Sequence, residues 1–185
     1  MNLHTPTFEE ALEATQKKLI KTMGTNCTIN VYRTLNDQLL QTIIKVDAQK
    51  FREELRYKRE EILEHSHING FTLIIVECNS QPLGLAYGYD YPQTDGFFLD
   101  TLASMAERKG IGHILATLLL IHSQNRGHNQ VTLYTEEKDE KGRPLRRFYE
   151  KMGFSYLGTE QYKGDVMKIH LNSEKIQKLF EKYIA

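Results

Sequence analysis

The sequence predicts a single domain of the α/β (α+β) class, spanning residues 1–185. Length and composition are the first observation, because 185 residues, of which 40% are hydrophobic and 26% charged, can bury one sizeable core. The second is that strand-like and helix-like segments alternate along the chain without a repeat or a low-complexity linker. The third is a glycine-rich turn, Gly110-Ile111-Gly112, which leads into a long apolar helix.

The N-terminal part of the chain is predicted to contain a helix, a strand and a longer helical region. The helix covers about residues 8–23, since Thr7 and Glu10 form a capping-box pair in front of a thin apolar stripe. Residues 28–33 alternate in the manner of a half-buried strand. A mixed helical stretch follows over about 36–66, and its dense charges of both signs are typical of a solvated helix face.

A hairpin and a further strand precede the glycine-rich turn. Residues 71–78 and 83–91 flank the turn signal Asn79-Ser80-Gln81-Pro82, which predicts an antiparallel pair. Residues 96–102 form the next strand candidate and run directly into the turn. The helix behind the turn continues through Ile114 to Arg126.

The C-terminal part continues the alternation. The pattern predicts a strand, a charged loop, a short helix through Phe148 and Tyr149, two strands and a closing helix. These elements cover 130–135, 136–143, a helix ending near Gly153, 154–159, 165–171 and 172–185. The closing helix and an N-terminal helical arm, residues 1–25, extend the domain at its two ends.

The charge balance excludes some classes of partner. Lys plus Arg and Asp plus Glu both total 24, so the formal net charge is zero and no global field favours nucleic acid or a membrane surface. Apolar runs such as Leu118 to Ile121 are too short to span a bilayer, and the N-terminus lacks the apolar core of a signal peptide. We therefore expect a cytoplasmic protein with no membrane and no nucleic-acid partner.

Cysteine and histidine usage predicts neither a disulfide nor a metal site. Cys27 and Cys78 lie in apolar, strand-like stretches without a CxxC pattern, which favours buried structural thiols. The seven His residues form no HExxH motif and no Cys/His cluster, so no metal is expected.

The glycine-rich turn has the chemistry of an anion site. Gly110 and Gly112 leave backbone N–H groups accessible where a helix begins, and Arg108 and Lys109 add positive charge. An ordinary tight turn before a helix would explain the same glycines. The phosphate-binding loop of nucleotide-binding proteins is not indicated, because its Gly-Lys-Ser/Thr ending is absent.

The chain resembles the GNAT superfamily of N-acetyltransferases over roughly residues 28–171. The resemblance is carried by Gln81-Pro82-Leu83-Gly84-Leu85-Ala86-Tyr87-Gly88, by the strand with the glycine-rich turn, and by Phe148-Tyr149 with Gly153-Phe154. It implies a mixed, mostly antiparallel central sheet of about six to seven strands flanked by helices, with extra helices at both ends. It also implies acetyl-CoA as the donor and an amine as the acceptor.

The resemblance places the donor site at one strand end and the following turn. It implies that backbone groups of Leu102, Ala103 and Ser104 hold the pantetheine arm and polarise the thioester carbonyl. It further implies a pyrophosphate site formed by Arg108, Lys109, Gly110, Ile111, Gly112 and His113. Glu107 and Gly142 replace the Gln or Arg and the Asn that are usual at those positions. The positive charges of the turn are expected to compensate for the carboxylate.

Two side chains are candidates for the chemistry. Tyr149 is predicted to donate a proton to the departing CoA sulfur, although an aromatic core residue would satisfy the same motif. Asp100 lies two residues before Leu102, so it is predicted to share that face of the strand and to accept the amine's proton, directly or through water. An Asp that ends a strand or pairs with a nearby cation is an equal alternative.

The acceptor site is the least specified part. Tyr87, Tyr89 and Asp90 are candidates, because aromatic rings with carboxylates suit a cationic amine, although surface loop residues would give the same pattern. Tyr57 and Glu61 are further candidates. The acceptor is a small molecule or a protein, and the sequence does not choose between them.

The sequence therefore predicts an acetyl-CoA-dependent N-acetyltransferase that works by direct attack of a primary amine in a ternary complex. The alternative is an acyl-CoA-binding sensor or interaction module without turnover. Whether two copies form a homodimer is left open.

Overall fold

The computed structural model describes residues 5–24 and 26–185, which form one seven-stranded sheet with helices on both faces. The helices are α1 Phe8–Met23, α2 Asp37–Lys50, α3 Arg59–Ser66, α4 Ile111–Asn125, α5 Leu145–Lys151 and α6 Ser173–Tyr183. The strands are β1 Cys27–Tyr32, β2 Thr72–Cys78, β3 Gln81–Asp90, β4 Phe97–Ser104, β5 Gln130–Thr135, β6 Ser155–Glu160 and β7 Gly164–His170. The predicted fold class is confirmed.

The sheet is antiparallel except at its centre. Its strand order is β1-β2-β3-β4-β5-β7-β6, and β4 and β5 run parallel. These two strands pair only at Phe97 with Val131 and at Phe98 with Thr132. Beyond Phe98 they diverge, so the later residues of β4 keep a sheet partner on the β3 side alone. The divergence opens a groove at the carboxyl ends of both strands.

Two apolar clusters hold the helices to the two faces. α4 lies on one face together with α1 and α6, and its Leu115, Leu118 and Leu119 are completely buried. α2 and α3 cover the other face, where Ile43 and Ile62 are completely buried. Because each buried aliphatic side chain contributes about 1.5–3 kcal/mol, the apolar run of α4 explains its place at the centre of its layer.

The helical stretch predicted over 36–66 is divided. α2 ends at Lys50 and α3 begins at Arg59, with one 3₁₀ turn, Glu53–Leu55, between them. No Gly or Pro lies in this stretch, so the local sequence carries no signal for the interruption. The break brings Tyr57 to the wall of the groove, which shows that tertiary contacts outweigh helical propensity here.

The prediction that Cys27 and Cys78 are free thiols is wrong, because the two residues form a disulfide. The antiparallel register of β1 and β2 places them directly opposite each other, with their Cα atoms 4.0 Å apart. A separation of 51 residues along the chain hides this proximity from sequence patterns.

The predicted N-terminal arm, residues 1–25, includes positions 1–4 and 25, which lie outside the described residues. The helix within it begins with the predicted capping box. Thr7 Oγ1 accepts a hydrogen bond from Glu10 N, and the Glu10 carboxylate accepts one from Thr7 N. None of the helices in the described part of the chain has the length and apolar character needed to cross a membrane.

Candidate active site

A cavity of about 690 Å³ lies where β4 and β5 diverge. Its walls come from the end of α2, the second half of β4, the turn before α4, the first turn of α4, the end of β5 and the start of α5. It brings together most of the predicted donor-site residues: Leu102, Ala103, Ser104, Arg108, Gly110, Ile111, Gly112 and His113. Lys109 does not line it.

The N-terminus of α4 borders the cavity with free backbone donors. Gly110 precedes the helix at φ +74°, a left-handed conformation that glycine adopts without strain. The first helical hydrogen bond runs from Ile114 N to Gly110 O at 3.0 Å, so the three N–H groups before Ile114 have no acceptor within the helix. These donors and the helix dipole suit this end of the cavity to a phosphate group.

Glu107 is engaged by cations of the 136–143 loop. Its Oε1 lies 2.7 Å from Lys141 Nζ and 3.1 Å from Arg143 Nη1. Lys141 in the first place, and Arg143 after it, hold the pKa of Glu107 below its ordinary value. Arg108, on the same turn, lines the cavity. The carboxylate at this position is therefore already paired and does not face the helix N-terminus as an isolated charge.

The end of β4 presents one unpaired backbone edge. Leu102, Ala103 and Ser104 each pair with a residue of β3, whereas β5 pairs with β4 only at Phe97 and Phe98. Backbone groups along an unpaired strand edge are free to hydrogen-bond an extended ligand in the manner of an added strand.

A β-bulge at Asp100 redirects the side chains of β4. The β3–β4 register shifts between Tyr87 and Gly88, and Asp100 is the extra residue opposite them. The prediction that Asp100 shares a strand face with Leu102 is wrong for this reason. Leu102 packs on the α4 side of the sheet, whereas Asp100 contacts His65 of α3 on the other side.

The side chain of Asp100 is fully buried and held by two rings. The Tyr89 hydroxyl donates to Asp100 Oδ2 at 2.6 Å, and His65 Nδ1 lies 3.0 Å from the same oxygen. Burial disfavours the charged imidazole, but the contact with Asp100 outweighs it and raises the pKa of His65. Asp100 also lines the cavity, so it is an oriented carboxylate at the wall of the candidate site.

Tyr149 borders the cavity from α5 and is only 8% exposed. Its ring packs edge-on against Phe148 and Phe154, at centroid distances of 5.0 Å and 5.5 Å. Desolvation raises the pKa of its phenol well above the ordinary value. The hydroxyl therefore stays protonated at neutral pH and is available as a proton donor.

His113 uses its ring for packing. The imidazole stacks on Tyr183 of α6 at 4.6 Å and tilts against Phe148 at 4.4 Å. Burial, followed by the positive charges of Lys182 and Lys151, lowers its pKa. The neutral ring thus closes one side of the cavity and ties α6 to the start of α4.

The predicted acceptor residues are separated by the fold. Neither Tyr87 nor Tyr89 lines the cavity. Tyr87 is completely buried, and Tyr89 donates its hydroxyl hydrogen bond to the buried carboxylate of Asp100. Asp90 lies at the far end of β3, also outside the cavity lining. There Arg126 Nη2 at 2.8 Å and His128 Nε2 at 2.9 Å contact its carboxylate.

Further polar side chains reach the cavity from the α2–α3 region, among them Tyr57 and Asp47. Tyr57, a secondary candidate in the sequence, lines it, whereas Glu61 accepts a hydrogen bond from the backbone at the start of α3. Asp47 also lines the cavity, and the sequence analysis missed it. A signal was present, because Asp47 follows Leu40 by seven and Ile43 by four residues and so falls on the buried stripe of α2.

Comparison with protein-family models gives a match over residues 35–154, to the model described as "Acetyltransferase (GNAT) family". This segment is more than half of the chain and contains the cavity walls from α2 to Tyr149. A sequence search of curated proteins found no match.

Solved structures share the fold. The aminoglycoside 6'-acetyltransferase type Ii is 21% identical with a TM-score of 0.63, covering 77% of this chain and 96% of that one. The PaiA N-acetyltransferase from Thermoplasma acidophilum, in complex with coenzyme A, is 19% identical with a TM-score of 0.60, covering 78% and 99%. The ribosomal-protein-S18-alanine N-acetyltransferase from Escherichia coli is 13% identical with a TM-score of 0.61, covering 78% and 95%.

Proposed function

Because the chain belongs to the acetyltransferase (GNAT) family, we propose that it is an N-acetyltransferase, which transfers an acetyl group from acetyl-CoA to a primary amine by direct attack in a ternary complex. One observation carries this proposal. A single cavity is bordered by the free helix N-terminus of α4, the unpaired edge of β4, the phenol of Tyr149 and the carboxylate of Asp100. The coenzyme A complex of the PaiA enzyme supports the choice of donor.

The residues present fit the proposed donor. The N–H groups of Ile111, Gly112 and His113 would bind the pyrophosphate, with Arg108 adding positive charge. The backbone of β4 from Leu102 to Ser104 would bind the pantetheine arm and polarise the thioester carbonyl. Lys109 lies outside the cavity lining, and its contribution stays a prediction.

The proposed reaction needs three proton transfers, two from the nitrogen and one to the sulfur. The acceptor enters as an ammonium ion and loses a proton to Asp100, directly or through water, so that its nitrogen lone pair can attack the carbonyl carbon. A C–N bond forms, and the attacking nitrogen, now positively charged, releases its second proton to solvent. As the C–S bond breaks, Tyr149 donates its proton to the departing sulfur. The products are an N-acetylated amine and the free CoA thiol. Solvent then restores the proton of Tyr149, and Asp100 releases the one it received.

The class of acceptor amine and the cellular compartment of the protein are also part of the proposal. The related structures include enzymes named for an aminoglycoside and for a ribosomal protein, so both a small amine and a protein amine are consistent with this fold. A cytoplasmic location stays a prediction. The Cys27–Cys78 disulfide makes it testable, since disulfides are rare in that compartment.

A screen with acetyl-CoA and a panel of primary amines tests the function. We expect release of free CoA thiol that depends on the acceptor, together with the matching acetylated amine in the mass spectrum. Tight CoA binding without acceptor-dependent thiol release would favour the non-catalytic module instead. In the same assay, Asp100→Asn should lower kcat/KM for the acceptor, and an unchanged kcat/KM would place the base elsewhere.

A further inference from the structure

Among the carboxyl groups that line the cavity, Asp47 is a buried one that the proposed reaction does not use. Asp47 lies on the buried face of α2, across from β4, and only 3% of its surface is exposed. It lines the same cavity as Asp100. Its Oδ1 is buried, and no described residue hydrogen-bonds this oxygen.

The two carboxyl groups differ in how well they are satisfied. Asp100 Oδ2 already accepts a hydrogen bond from Tyr89 and lies beside His65. Asp47 lacks a donor on one oxygen, and leaving a buried acceptor unsatisfied costs about 1–3 kcal/mol. Of the two, Asp47 is therefore the group that gains more from a donor brought by a ligand.

The electrostatics favour a positively charged ligand. Burial in the first place, and then the nearby charge of Asp100, raise the pKa of Asp47 to about 7, while Arg56 acts in the opposite direction. Two carboxylates that line one cavity repel each other, and a cation between or beside them removes that cost.

The cavity lining also includes aromatic and apolar side chains: Phe51, Leu55, Tyr57, Phe98 and Tyr134. Aromatic faces attract ammonium groups, and the apolar surface suits the methylene chain that would join two such groups. Together with Asp47 and Asp100, these side chains suit an alkyl chain that carries positive charge.

We propose that Asp47 is a specificity residue that binds a second cationic nitrogen of the acceptor, so that the preferred acceptor is a compact diamine or polyamine. This inference rests on the proposed acetyltransferase function. The reacting nitrogen must give up its proton before it attacks, so it needs a proton acceptor and not a permanent counter-ion. A carboxyl group that is not otherwise engaged supplies that counter-ion to a nitrogen that does not react.

The test compares straight-chain diamines, from diaminopropane to diaminohexane, with monoamines of the same length at saturating acetyl-CoA. For the wild-type protein we expect kcat/KM for the best diamine to exceed that for its matched monoamine by about tenfold or more, as one charge-assisted hydrogen bond provides. Asp47→Asn should reduce this ratio by about the same factor, mainly through KM.

Asp37→Asn is the matched control, because Asp37 lies on the same helix with its side chain 92% exposed, paired with Arg59. It should keep the wild-type ratio. Equal kcat/KM for diamines and monoamines across the wild-type series would overturn the inference while leaving the acetyltransferase function intact. A folded Asp47→Asn protein that keeps the wild-type ratio of diamine to monoamine kcat/KM would also overturn the inference. The comparison of diamines with monoamines in the wild-type protein tests the inference by itself, so the test does not depend on whether Asp47→Asn folds. Failure of every amine to release CoA thiol would overturn the proposed function and this inference with it.

Discussion

Tyr149 is placed by packing, and its chemistry follows from that packing. Phe148 and Phe154 hold its ring edge-on, and the surrounding apolar side chains keep the phenol protonated. The motif in the sequence predicted the residue. Only the fold showed that this buried ring also borders the cavity.

We predict that Tyr149→Phe lowers kcat by about 10²-fold, the lower end of the effect of a positioned proton donor, while the Kd for CoA changes little. The variant keeps the ring and its contacts, so the loss reports the hydroxyl alone. Steady-state kinetics with an acceptor found in the amine panel, and a CoA titration, measure the two quantities.

Tyr162→Phe is the control for this prediction, since Tyr162 is 97% exposed and lies outside the cavity lining. Its kinetic constants should match those of the wild-type protein. Full turnover in Tyr149→Phe across a range of pH would contradict the proposed role of the phenol.

The strand face of Asp100 is a second feature at the residue scale that depends on the fold. The alternation rule for strands predicted its face incorrectly, because one extra residue in β4 shifts the pleat at that point. Such a bulge depends on pairing with β3, and no residue type in β4 predicts it.

At the scale of elements, the position of α4 depends on its close approach to β3. A Cβ atom added at Gly84 would lie 2.7 Å from Ile111 Cγ2 and 2.9 Å from the carbonyl oxygen of Ala103. The first turn of α4 therefore rests directly on a strand position that has no side chain. This contact sets where the free N–H groups of the helix meet the cavity.

We predict that Gly84→Ala lowers the free energy of unfolding by about 1–3 kcal/mol, as overpacking does in other cores. It should also weaken CoA binding, because the start of α4 must move away from the sheet to admit the methyl group. Chemical denaturation measures the first effect, and calorimetric titration with CoA measures the second.

Gly112→Ala is the matched control for stability. Its added Cβ would meet Phe148 at 3.5 Å, which is ordinary contact, and alanine is the better helix former by about 1 kcal/mol. Its stability should equal or exceed that of the wild-type protein. Equal losses in both variants would show that the contact between α4 and β3 is not the cause.

At the scale of the whole molecule, the disulfide joins β1, the first strand of the sheet, to its neighbour β2 across 51 residues of chain. We predict that reduction lowers the free energy of unfolding by about 2–4 kcal/mol, because the unfolded chain regains the freedom of that loop. For a domain of this size the melting temperature should fall by roughly 5–15 °C. Thermal denaturation with and without reductant measures the change.

The double variant Cys27→Ser/Cys78→Ser provides the control, since reductant should leave its melting temperature unchanged. A wild-type protein whose melting temperature is also insensitive to reductant would contradict the stabilising role. Counting free thiols in protein taken directly from cells would show at the same time whether the native compartment keeps the bond oxidised.

The sequence by itself determined most of what depends on neighbouring residues. Helix caps, strand alternation and the glycine-rich turn are local patterns, so they predicted the order of most elements and the helix N-terminus at the cavity. The class of the sheet followed from the family resemblance. The Phe148-Tyr149 motif is equally local, and it predicted the phenol that the proposed reaction uses. Family membership followed the same motifs and was confirmed over residues 35–154.

Only the tertiary structure decided the features that depend on contacts between distant segments. The disulfide partner of Cys27, the bulge at Asp100, the break between α2 and α3, and the arrival of Asp47 at the cavity all arise from strand register and packing. Because such contacts join residues far apart in the chain, no local pattern encodes them. Of these features, the bulge, the break and Asp47 bring residues to the part of the cavity proposed for the acceptor, whereas the part proposed for the donor consists largely of local motifs.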